Sequence, residues 1–249
     1  MDDLMRRAAE AIKNSKTAIA FTGAGISVES GIPDFRGAGG LWEKYDPAIY
    51  ASIDTFMTQP ERCWDMIFDM LELTDTAKPN PGHIALGELE EMGFLKAVIT
   101  QNIDNLHQRG GSKRVIEYHG NSVRLVCLKC KSEYNMDEYD RNGRVPPRCK
   151  KCDTILKPSI VFFGEMIPHS ALYDSSDLAN IADVVIVAGT SAVVYPAAAI
   201  PDTAKRNGAF IIESNVEKTA FTKRITDVFL EGPSGVKLPE LVKAVRELS

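Results

Sequence analysis

The chain has 249 residues, of which 44% are hydrophobic and 25% charged, and its formal net charge is -5. A chain of this length buries roughly three quarters of its unfolded surface, so it can form one large domain with a small inserted one. The composition is typical of globular proteins and argues against disordered and fibrous classes. The negative charge argues against sequence-independent binding to nucleic acid, which needs a basic face to release phosphate counterions.

The N-terminal segment 1–16, MDDLMRRAAEAIKNSK, mixes acidic and basic residues at helical spacing and lacks the apolar core of a signal peptide. No run of about 18 apolar residues, the length that spans a bilayer, occurs in the sequence. We therefore expect a cytoplasmic protein that does not enter a membrane and does not bind nucleic acid directly. We also expect it to act as a monomer.

Helical patterns alternate with short apolar runs along most of the chain. Apolar residues recur with a helical period over residues 2–15, and the apolar run 17–21 ends at the glycines Gly23 and Gly25. Further apolar runs lie at 97–100, 184–188 and 210–212, and helical patterns lie near 83–92, 170–181 and 196–206. Strands that alternate with helices predict an α/β fold whose parallel sheet is covered on both faces.

Two segments break this alternation. Residues 31–60 contain several glycines and prolines, which predicts a long loop or a helical cover. Residues 120–158 are rich in Lys, Arg, Cys and Pro and show little periodicity, which predicts a small inserted module. We place the parallel-sheet domain at residues 1–35, 75–119 and 158–249, the cover at 36–74, and the inserted module at 120–157.

Four of the five cysteines form two CxxC pairs inside the inserted module. They are Cys127, Cys130, Cys149 and Cys152, and 18 residues separate the two pairs. Two CxxC turns can present four thiolates to one Zn2+ in tetrahedral geometry. Such pairs without an export signal favour a metal over disulfides, so the sequence predicts a zinc ribbon. With four sulfur ligands the metal has no open coordination position, and its expected role is structural.

The glycine turn after the first apolar run suits a nucleotide-binding fold, because glycines let the backbone approach a pyrophosphate. The usual dinucleotide fingerprint has a third glycine where this chain has Val28, and an acidic residue about 20 residues farther on. Both features are missing, so a hydride-transferring dehydrogenase fits the sequence poorly. The turn alone does not separate a phosphate cradle from a structural turn.

Four blocks of sequence stand out, namely TGAGISVESGIPDFRG at 22–37, TQNIDNLH at 100–107, YHG at 118–120 and GTS at 189–191. Together they resemble the sirtuin family of NAD-dependent protein deacylases. The resemblance extends from about residue 4 to the C-terminus and includes the CxxC pairs. It implies a Rossmann-like NAD-binding domain with an inserted zinc-ribbon domain, and a cleft between them where NAD meets an acyl-lysine peptide or protein. The cover at 36–74 would include a cofactor-binding loop.

The resemblance also implies which residues bind NAD. Phe35 would shield the reacting ribose carbon, and Arg36 would supply a cation to the pyrophosphate. Asn102 and Asp104 would form the pocket for the nicotinamide carboxamide, which needs a donor and an acceptor. Ser234, in a turn at 232–236, is a further implied contact. The others are Gly23, Ala24, Gly25, Ser27, Asp34, Gln101, Ile103, Gly189, Thr190, Ser191 and Asn215.

The reaction implied by the family cleaves the bond between nicotinamide and ribose, and the acyl oxygen of the substrate captures the ribose carbon. His119 resembles the general base, since a neutral imidazole with a pKa of about 6.5 can accept a proton from a ribose hydroxyl. Asn102 is the second expected catalytic residue. The implied products are nicotinamide, 2'-O-acyl-ADP-ribose and deacylated lysine.

Two segments resemble the edges that hold the substrate peptide, namely Val161, Phe162, Phe163 and Gly164, and Val193, Val194 and Tyr195. Backbone pairing at these edges would admit many peptide sequences. Ile67 and Met70 stand where relatives that prefer acidic acyl groups carry Tyr and Arg, so we expect acetyl or a longer apolar acyl group. The stretch 215–236 is more similar to the branch that prefers acidic acyl groups, and the two observations point to different substrates.

Two other functions fit parts of this pattern. The same cleft with a protein nucleophile in place of the acyl oxygen would make an NAD-dependent protein ADP-ribosyltransferase. A zinc-ribbon module whose Rossmann-like domain only senses NAD or ADP-ribose would be non-catalytic, although His119 and Asn102 argue against it. The three hypotheses differ in their products, which are acyl-ADP-ribose, ADP-ribosylated protein, or none.

Overall fold

The computed structural model describes residues 2–34 and 40–248. Across these ranges, no helix has both the length and the apolar character needed to span a membrane. The strands are β1 (Ala18–Thr22), β2 (Leu95–Thr100), β3 (Val115–Glu117), β4 (Gly120–Val126), β5 (Glu133–Asn135), β6 (Lys157–Ile160), β7 (Val184–Ala188), β8 (Phe210–Asn215) and β9 (Val228–Glu231). The helices are α1 (Asp3–Asn14), α2 (Leu41–Lys44), α3 (Pro47–Tyr50), α4 (Ile53–Thr58), α5 (Pro60–Thr76), α6 (Pro81–Glu91), α7 (Leu106–Arg109), α8 (His169–Ile181), α9 (Ala199–Arg206) and α10 (Ser234–Glu247).

Six strands form a parallel sheet in the order β3–β2–β1–β7–β8–β9. The strand β1 lies inside it, where Ile19 pairs with Ala97 on one side and with Val185 on the other. Every residue of β1 and β7 is buried. A parallel strand covered on both faces needs apolar side chains in both directions, which explains the nearly continuous apolar runs in the sequence.

Helices cover both faces of this sheet. Ala18 and Ala20 of β1 belong to the core beneath α1, α6 and α10, whereas Ile19 and Phe21 belong to the core beneath α8 and α9. This division follows from the strand geometry, since successive side chains point to opposite faces. The predicted Rossmann-like α/β architecture is therefore confirmed.

A third hydrophobic core joins the helices that follow residue 40 to the inserted module. The module contains the antiparallel sheet β5–β4–β6. Trp64 of α5 is fully buried in this core, and its indole N–H donates to the carbonyl oxygen of Leu156 at 3.0 Å. Cys63 is buried beside it, where it packs as a small hydrophobic residue. The cover and the inserted module thus share one core, while the domain boundaries stay a prediction.

The predicted elements are confirmed where their patterns were long and regular. The predicted helices correspond to α1, α6, α8 and α9, and the predicted strands to β1, β2, β7 and β8. The elements β3, β9 and α10 were not predicted. Residues 232–236, interpreted as a turn, join the end of β9 at Glu231 to the first turn of α10 at Ser234.

Gly120 begins β4 and directly follows His119 in the chain. Its φ of +75° lies in the left-handed region, and a Cβ at this position would lie 1.8 Å from the carbonyl oxygen of Ser159 on β6. Gly120 is paired with Ile160 in the small sheet, so the two backbones cannot move apart freely. The close approach of β4 and β6 therefore requires glycine here.

We expect Gly120→Ala to lower the free energy of unfolding by about 2–5 kcal/mol, because strain at positive φ adds to the steric overlap with β6. Chemical denaturation followed by circular dichroism measures the change. The control is Gly143→Ala, at an exposed position where the nearest heavy atom, Val145 Cγ2, would lie 3.6 Å from the new Cβ. Its expected effect is within about 0.5 kcal/mol. Equal stabilities of the two variants would contradict this account of Gly120.

Candidate functional site

A cavity of about 850 Å³ lies at the carboxyl end of the parallel sheet, beneath residues of α2, α5 and β6. Gly23 follows β1 at its rim, Gln101 follows β2, and Gly189 follows β7. Asn215, the last residue of β8, borders it as well. Ligands of open α/β sheets bind at this edge, because the loops that leave the strands diverge there.

The cavity brings together most of the residues that the sequence analysis singles out. Phe35 and Arg36 lie outside the described residues. The predicted residues that line the cavity are Gly23, Ala24, Gly25, Asp34, Met70, Gln101, Asn102, Ile103, His119, Val161, Phe162, Phe163, Gly164, Gly189, Thr190, Ser191, Val194, Tyr195, Asn215 and Ser234.

Two glycine turns build the cavity wall beside β1. The Gly25 N–H donates to the carbonyl oxygen of Gly189 at 2.8 Å, and a Cβ on Gly25 would lie 2.8 Å from that oxygen. Gly189 has a φ of +59°, and a Cβ on it would lie 2.1 Å from the backbone nitrogen of Ile26. Neither position has room for a side chain. Gly23 and Gly25, which have no side chains, line the cavity with backbone alone, and such a surface suits a diphosphate.

Asn102 lines the cavity, and its amide group is held from behind. The side-chain nitrogen donates to the carbonyl oxygen of Gly23 and to Ser27 Oγ, both at 3.1 Å. Ser27 Oγ in turn donates to Asp104 Oδ2 at 2.7 Å, and Asp104 Oδ1 accepts from the N–H of Leu106 at 2.9 Å. Both amide hydrogens of Asn102 are thus used, which leaves its side-chain oxygen as the acceptor for a ligand.

Ser27 and Asp104 do not themselves line the cavity. Both are buried, and burial raises the pKa of the Asp104 carboxyl. In the structure they fix the orientation of Asn102, and their contacts with NAD stay a prediction. Asp104 also accepts the N–H of the first residue of α7, as a residue at the start of a helix can.

Two further histidines lie behind this network. His83 stands in the first turn of α6, where its Nδ1 accepts from the N–H of Asn80 at 3.3 Å and its Nε2 lies 3.4 Å from Ser27 Oγ. Burial lowers the pKa of His83 to about 4, so its ring is neutral near pH 7. The His107 ring packs against the His83 ring with 4.9 Å between centroids. Both histidines are buried structural residues, and nothing in the sequence pattern indicates that His83 reaches Ser27.

His119 lies between β3 and β4 and lines the cavity. Its Nδ1 is 3.1 Å from the carbonyl oxygen of Gln101. A carbonyl can only accept, so Nδ1 carries the hydrogen and Nε2 is left as the basic nitrogen. Burial lowers the pKa of His119, and the bond to Gln101 opposes this effect in part. The ring is therefore a neutral base near pH 7.

The other end of the cavity is apolar. Leu41, Trp42, Met66, Met70 and Phe162 contribute to it. Among the described residues, no lysine or arginine lines the cavity. This end therefore suits an aliphatic group and offers no cation to a carboxylate.

The structure corrects the predicted position of Ile67, which is fully buried in the core beneath the cover and does not line the cavity. Met66 lines it together with Met70, one helical turn apart on α5. Met66, Trp42, Glu29 and His169 were not singled out in the sequence. The only signal for Met66 was the helical period of α5, which needs an independent reference to show which face meets the cavity.

Residues 161–163, which follow β6, are held by backbone hydrogen bonds at both ends. The Val161 N–H donates to the carbonyl oxygen of His119 at 2.8 Å. The Phe163 N–H donates to the carbonyl oxygen of Ala51, also at 2.8 Å, and its own carbonyl accepts from Ile53 at 3.0 Å. On the opposite rim, Val194 and Tyr195 line the cavity, while Val193 is exposed and does not. The two predicted peptide-binding edges thus border the same opening.

The four predicted metal ligands form one cluster. The Sγ atoms of Cys127, Cys130, Cys149 and Cys152 all lie within 4.8 Å of one another. Two Sγ pairs, Cys127–Cys152 and Cys130–Cys149, are 3.5 Å apart. Four thiolates at the Zn–S distance of about 2.3 Å would be about 3.8 Å apart in a tetrahedron, so the donor set and its spacing fit Zn2+.

The two CxxC turns have the same backbone conformation. Lys131 and Asp153, each directly after the second cysteine of its pair, have φ of +60° and +58°. Their N–H groups donate to the carbonyl oxygens of Cys127 and Cys149, both at 2.9 Å. This repetition places two sulfurs from each turn on one side, which is the geometry of a closed structural site.

Comparison with known proteins agrees with this geometry. The model of the Sir2 family matches residues 23–196. The NAD-dependent protein deacylase of Pyrococcus furiosus is 49% identical over 242 residues, which cover 96% of this chain and 96% of that protein. NAD-dependent protein deacylase 2 of Archaeoglobus fulgidus is 48% identical over 251 residues, covering 100% of this chain and 98% of that protein.

Two solved structures extend the comparison to bound ligands. A Sir2 homologue in complex with NAD has a TM-score of 0.92 at 42% identity, with coverage of 100% of this chain and 95% of that chain. A Sir2 protein bound to a myristoylated histone peptide has a TM-score of 0.84 at 42% identity, with coverage of 100% and 98%. On the matched family model and the identity along nearly the whole length, this chain belongs to the Sir2 family.

Proposed function

We propose that this chain is an NAD-dependent protein lysine deacylase, which releases nicotinamide, moves the acyl group onto ADP-ribose and frees the lysine. The observation that carries the proposal is the state of His119. Its Nδ1 is engaged by Gln101, so the basic Nε2 belongs to a residue that lines the cavity between the glycine turns and the apolar end. A base at the meeting point of a dinucleotide and an aliphatic amide is what this reaction needs.

In the proposed arrangement, NAD lies along the carboxyl edge of the parallel sheet. The turn at Gly23, Ala24 and Gly25 receives the diphosphate, and Ser234 and Asn215 border the adenosine end. The Asn102 side-chain oxygen accepts from the nicotinamide amide. The named relatives and the NAD complex of a Sir2 homologue support this assignment.

The reaction begins when the bond between nicotinamide and the ribose C1' breaks and the acyl oxygen forms a new bond to C1'. Nicotinamide leaves with the bonding electrons, and the amide becomes a positively charged imidate. His119 Nε2 then takes the proton of a ribose hydroxyl, whose oxygen attacks the imidate carbon. Water completes the release of lysine and leaves 2'-O-acyl-ADP-ribose. His119 and Asn102 are the catalytic residues in this proposal.

The cysteine cluster would hold one structural zinc ion. Cys127, Cys130, Cys149 and Cys152 fill all four positions, so the ion would supply folding energy to the module and no reactive water. Tyr134 Oη lies 3.3 Å from the Sγ of Cys149 and would orient that ligand.

Acyl-lysine proteins are the proposed substrates, as a related structure with a myristoylated histone peptide supports. We propose that acetyl and longer apolar acyl groups are preferred, because the lining near Met66 and Met70 is apolar. We also propose that the protein acts in the cytoplasm as a monomer without binding nucleic acid. Its net charge of -5 supports the last point.

We expect His119→Ala to lower the steady-state rate of 2'-O-acyl-ADP-ribose formation with acetyl-lysine peptide by about 10²–10⁴-fold, the usual contribution of a general base. Mass spectrometry of the products of the parent protein identifies the reaction. Acyl-ADP-ribose supports deacylation, whereas ADP-ribosylated protein would establish the transferase instead. The unfolding temperature of His119→Ala should stay close to that of the parent, and an unchanged rate would exclude His119 as the base.

A pH profile tests the state of His119 in the parent protein. Because burial lowers the pKa of His119 below its ordinary value of 6.5, the ring stays basic at pH values where a solvent-exposed histidine is already protonated. Protonation removes the acceptor, so kcat/KM for the acyl peptide should fall on the acid side with a midpoint below pH 6.5. A midpoint above 6.5 would show that the bond to Gln101 outweighs burial.

Met70→Arg tests the acyl preference. The parent should deacetylate faster than it desuccinylates, and an arginine at this position would supply a charge-assisted hydrogen bond to the succinyl carboxylate. Such a bond should raise kcat/KM for a succinyl peptide by about tenfold or more. The control is Met70→Gln, which has similar length and no charge, and should leave succinyl turnover low. Faster desuccinylation than deacetylation by the parent would contradict the proposed preference.

A further inference from the structure

The loop that follows β6 presents backbone groups to the cavity. Val161, Phe162, Gly164 and Glu165 all line it. Within the described part of the chain, the Val161 carbonyl oxygen and the Gly164 N–H have no hydrogen-bond partner. Gly164 has a φ of +88°, so the chain turns sharply at this point. A segment with unpaired N–H and C=O groups on a cavity rim can add main-chain hydrogen bonds to an extended peptide.

A buried lysine lies directly beneath this loop. The Lys157 side chain is only 3% exposed, and its Nζ is 2.8 Å from Glu165 Oε2. The ammonium also donates to the carbonyl oxygens of Pro158, at 3.2 Å, and of Ile160. It lies 4.3 Å from the centroid of the Phe162 ring. The hydrogen bonds and the ion pair of this ammonium are therefore with β6 or with the loop itself.

Glu165 closes the loop from its other end. Its Oε2 accepts the Phe162 N–H at 2.7 Å, in addition to the bond from Lys157. Its own N–H donates to the Phe162 carbonyl oxygen at 3.0 Å. Residues 162–165 are thus bound into a turn by one backbone bond and one carboxylate, and the carboxylate is fixed by the lysine.

The Lys157 ammonium is buried while the Glu165 side chain is 23% exposed, and burying a charge is unfavourable unless its hydrogen bonds are well formed. An apolar pair of similar volume would usually serve stability as well or better. Burial lowers the pKa of Lys157, and the nearby Glu165 carboxylate opposes that effect. The ion pair fixes the conformation of the turn between Phe162 and Glu165. This conformation determines the direction of the unpaired Val161 carbonyl oxygen and Gly164 N–H.

We propose that Lys157 and Glu165 are positioning residues for the substrate peptide, which hold the loop 161–165 in the shape that pairs with the peptide backbone. This inference rests on the proposed function. The two side chains act through the loop backbone, and their hydrogen bonds do not involve the groups that hold Asn102. Their loss should therefore weaken the binding of peptide while NAD binding and the chemical step are retained.

The test compares steady-state kinetics of the parent, Lys157→Met, Glu165→Gln and the double variant with an acetyl-lysine peptide and NAD. We expect the KM for the peptide to rise by about tenfold in Lys157→Met, because the loss of one to two hydrogen bonds between loop and peptide weakens binding by about this factor. The KM for NAD and kcat should each change by less than about twofold. Because the residues act as one unit, the double variant should be no worse than the more affected single variant.

The matched control is Lys205→Met. Lys205 forms a partly buried ion pair with Asp227, away from the residues that line the cavity. The Lys205→Met substitution should lower the unfolding temperature without changing the KM for the peptide. The double variant at 157 and 165 leaves no uncompensated buried charge, so it keeps the test available if one of the single variants does not fold.

The outcomes separate the inference from the proposed function. If the parent consumes no NAD with any acyl-lysine peptide, the proposed function fails. If the parent is active but the variants keep its peptide KM, or lose kcat and NAD affinity to the same degree, the pair is only structural and the inference is overturned. Multiplying effects in the double variant would likewise show that the two residues do not act together.

Discussion

The close backbone contact between the turns after β1 and β7 is the constraint on which the site depends. The Gly25 N–H binds the carbonyl oxygen of Gly189, and neither residue has space for a Cβ. Because the two turns meet in this way, the exits of adjacent strands form one continuous wall. Gln101 and Thr190 then lie close enough for their side chains to bond at 3.0 Å, and the Gln101 carbonyl is placed to fix His119.

The sequence predicts the fold best where one physical requirement governs a whole element. The strands β1 and β7 are buried on both faces, and only a nearly continuous apolar run satisfies that requirement. By contrast, β3 has three residues and lies at the sheet edge, so it leaves almost no pattern. The helix α10 contains Gly235 and Pro239, which obscure its helical period, although its packing against α1 and α6 is extensive.

The site was predictable to the extent that its residues stand in short, recognisable blocks. His119 and the four cysteines belong to such blocks, and their geometry agrees with the roles that the resemblance implies. The error at Ile67 has a geometric cause, since adjacent helical residues differ by about 100° in direction. Met66 and Met70 share the face toward the cavity, while Ile67 points into the core. A sequence gives the period of a helix but not its rotation about its axis.

Buried polar networks were the least predictable part. Ser27 and Asp104 stand in recognisable blocks, but whether each one touches a ligand or supports a neighbour depends on packing from distant segments. His83 comes from α6, far from Asp104 in sequence, and completes the same network. Such assemblies depend on tertiary geometry at the scale of a single hydrogen bond.

Helix α5 has two sides with different partners. Met66 and Met70 border the apolar end of the cavity, while Trp64 is buried against the module that carries the cysteines. Arg144 of that module adds an ion pair to Asp69 of the same helix, at 2.6 Å. The zinc ion that the four cysteines would hold contacts no reactant. Through α5 it would still determine how rigid the cavity wall around the acyl chain is. Removal of the zinc ion by a chelator would then reduce the selectivity for acyl-chain length before it affects the binding of NAD.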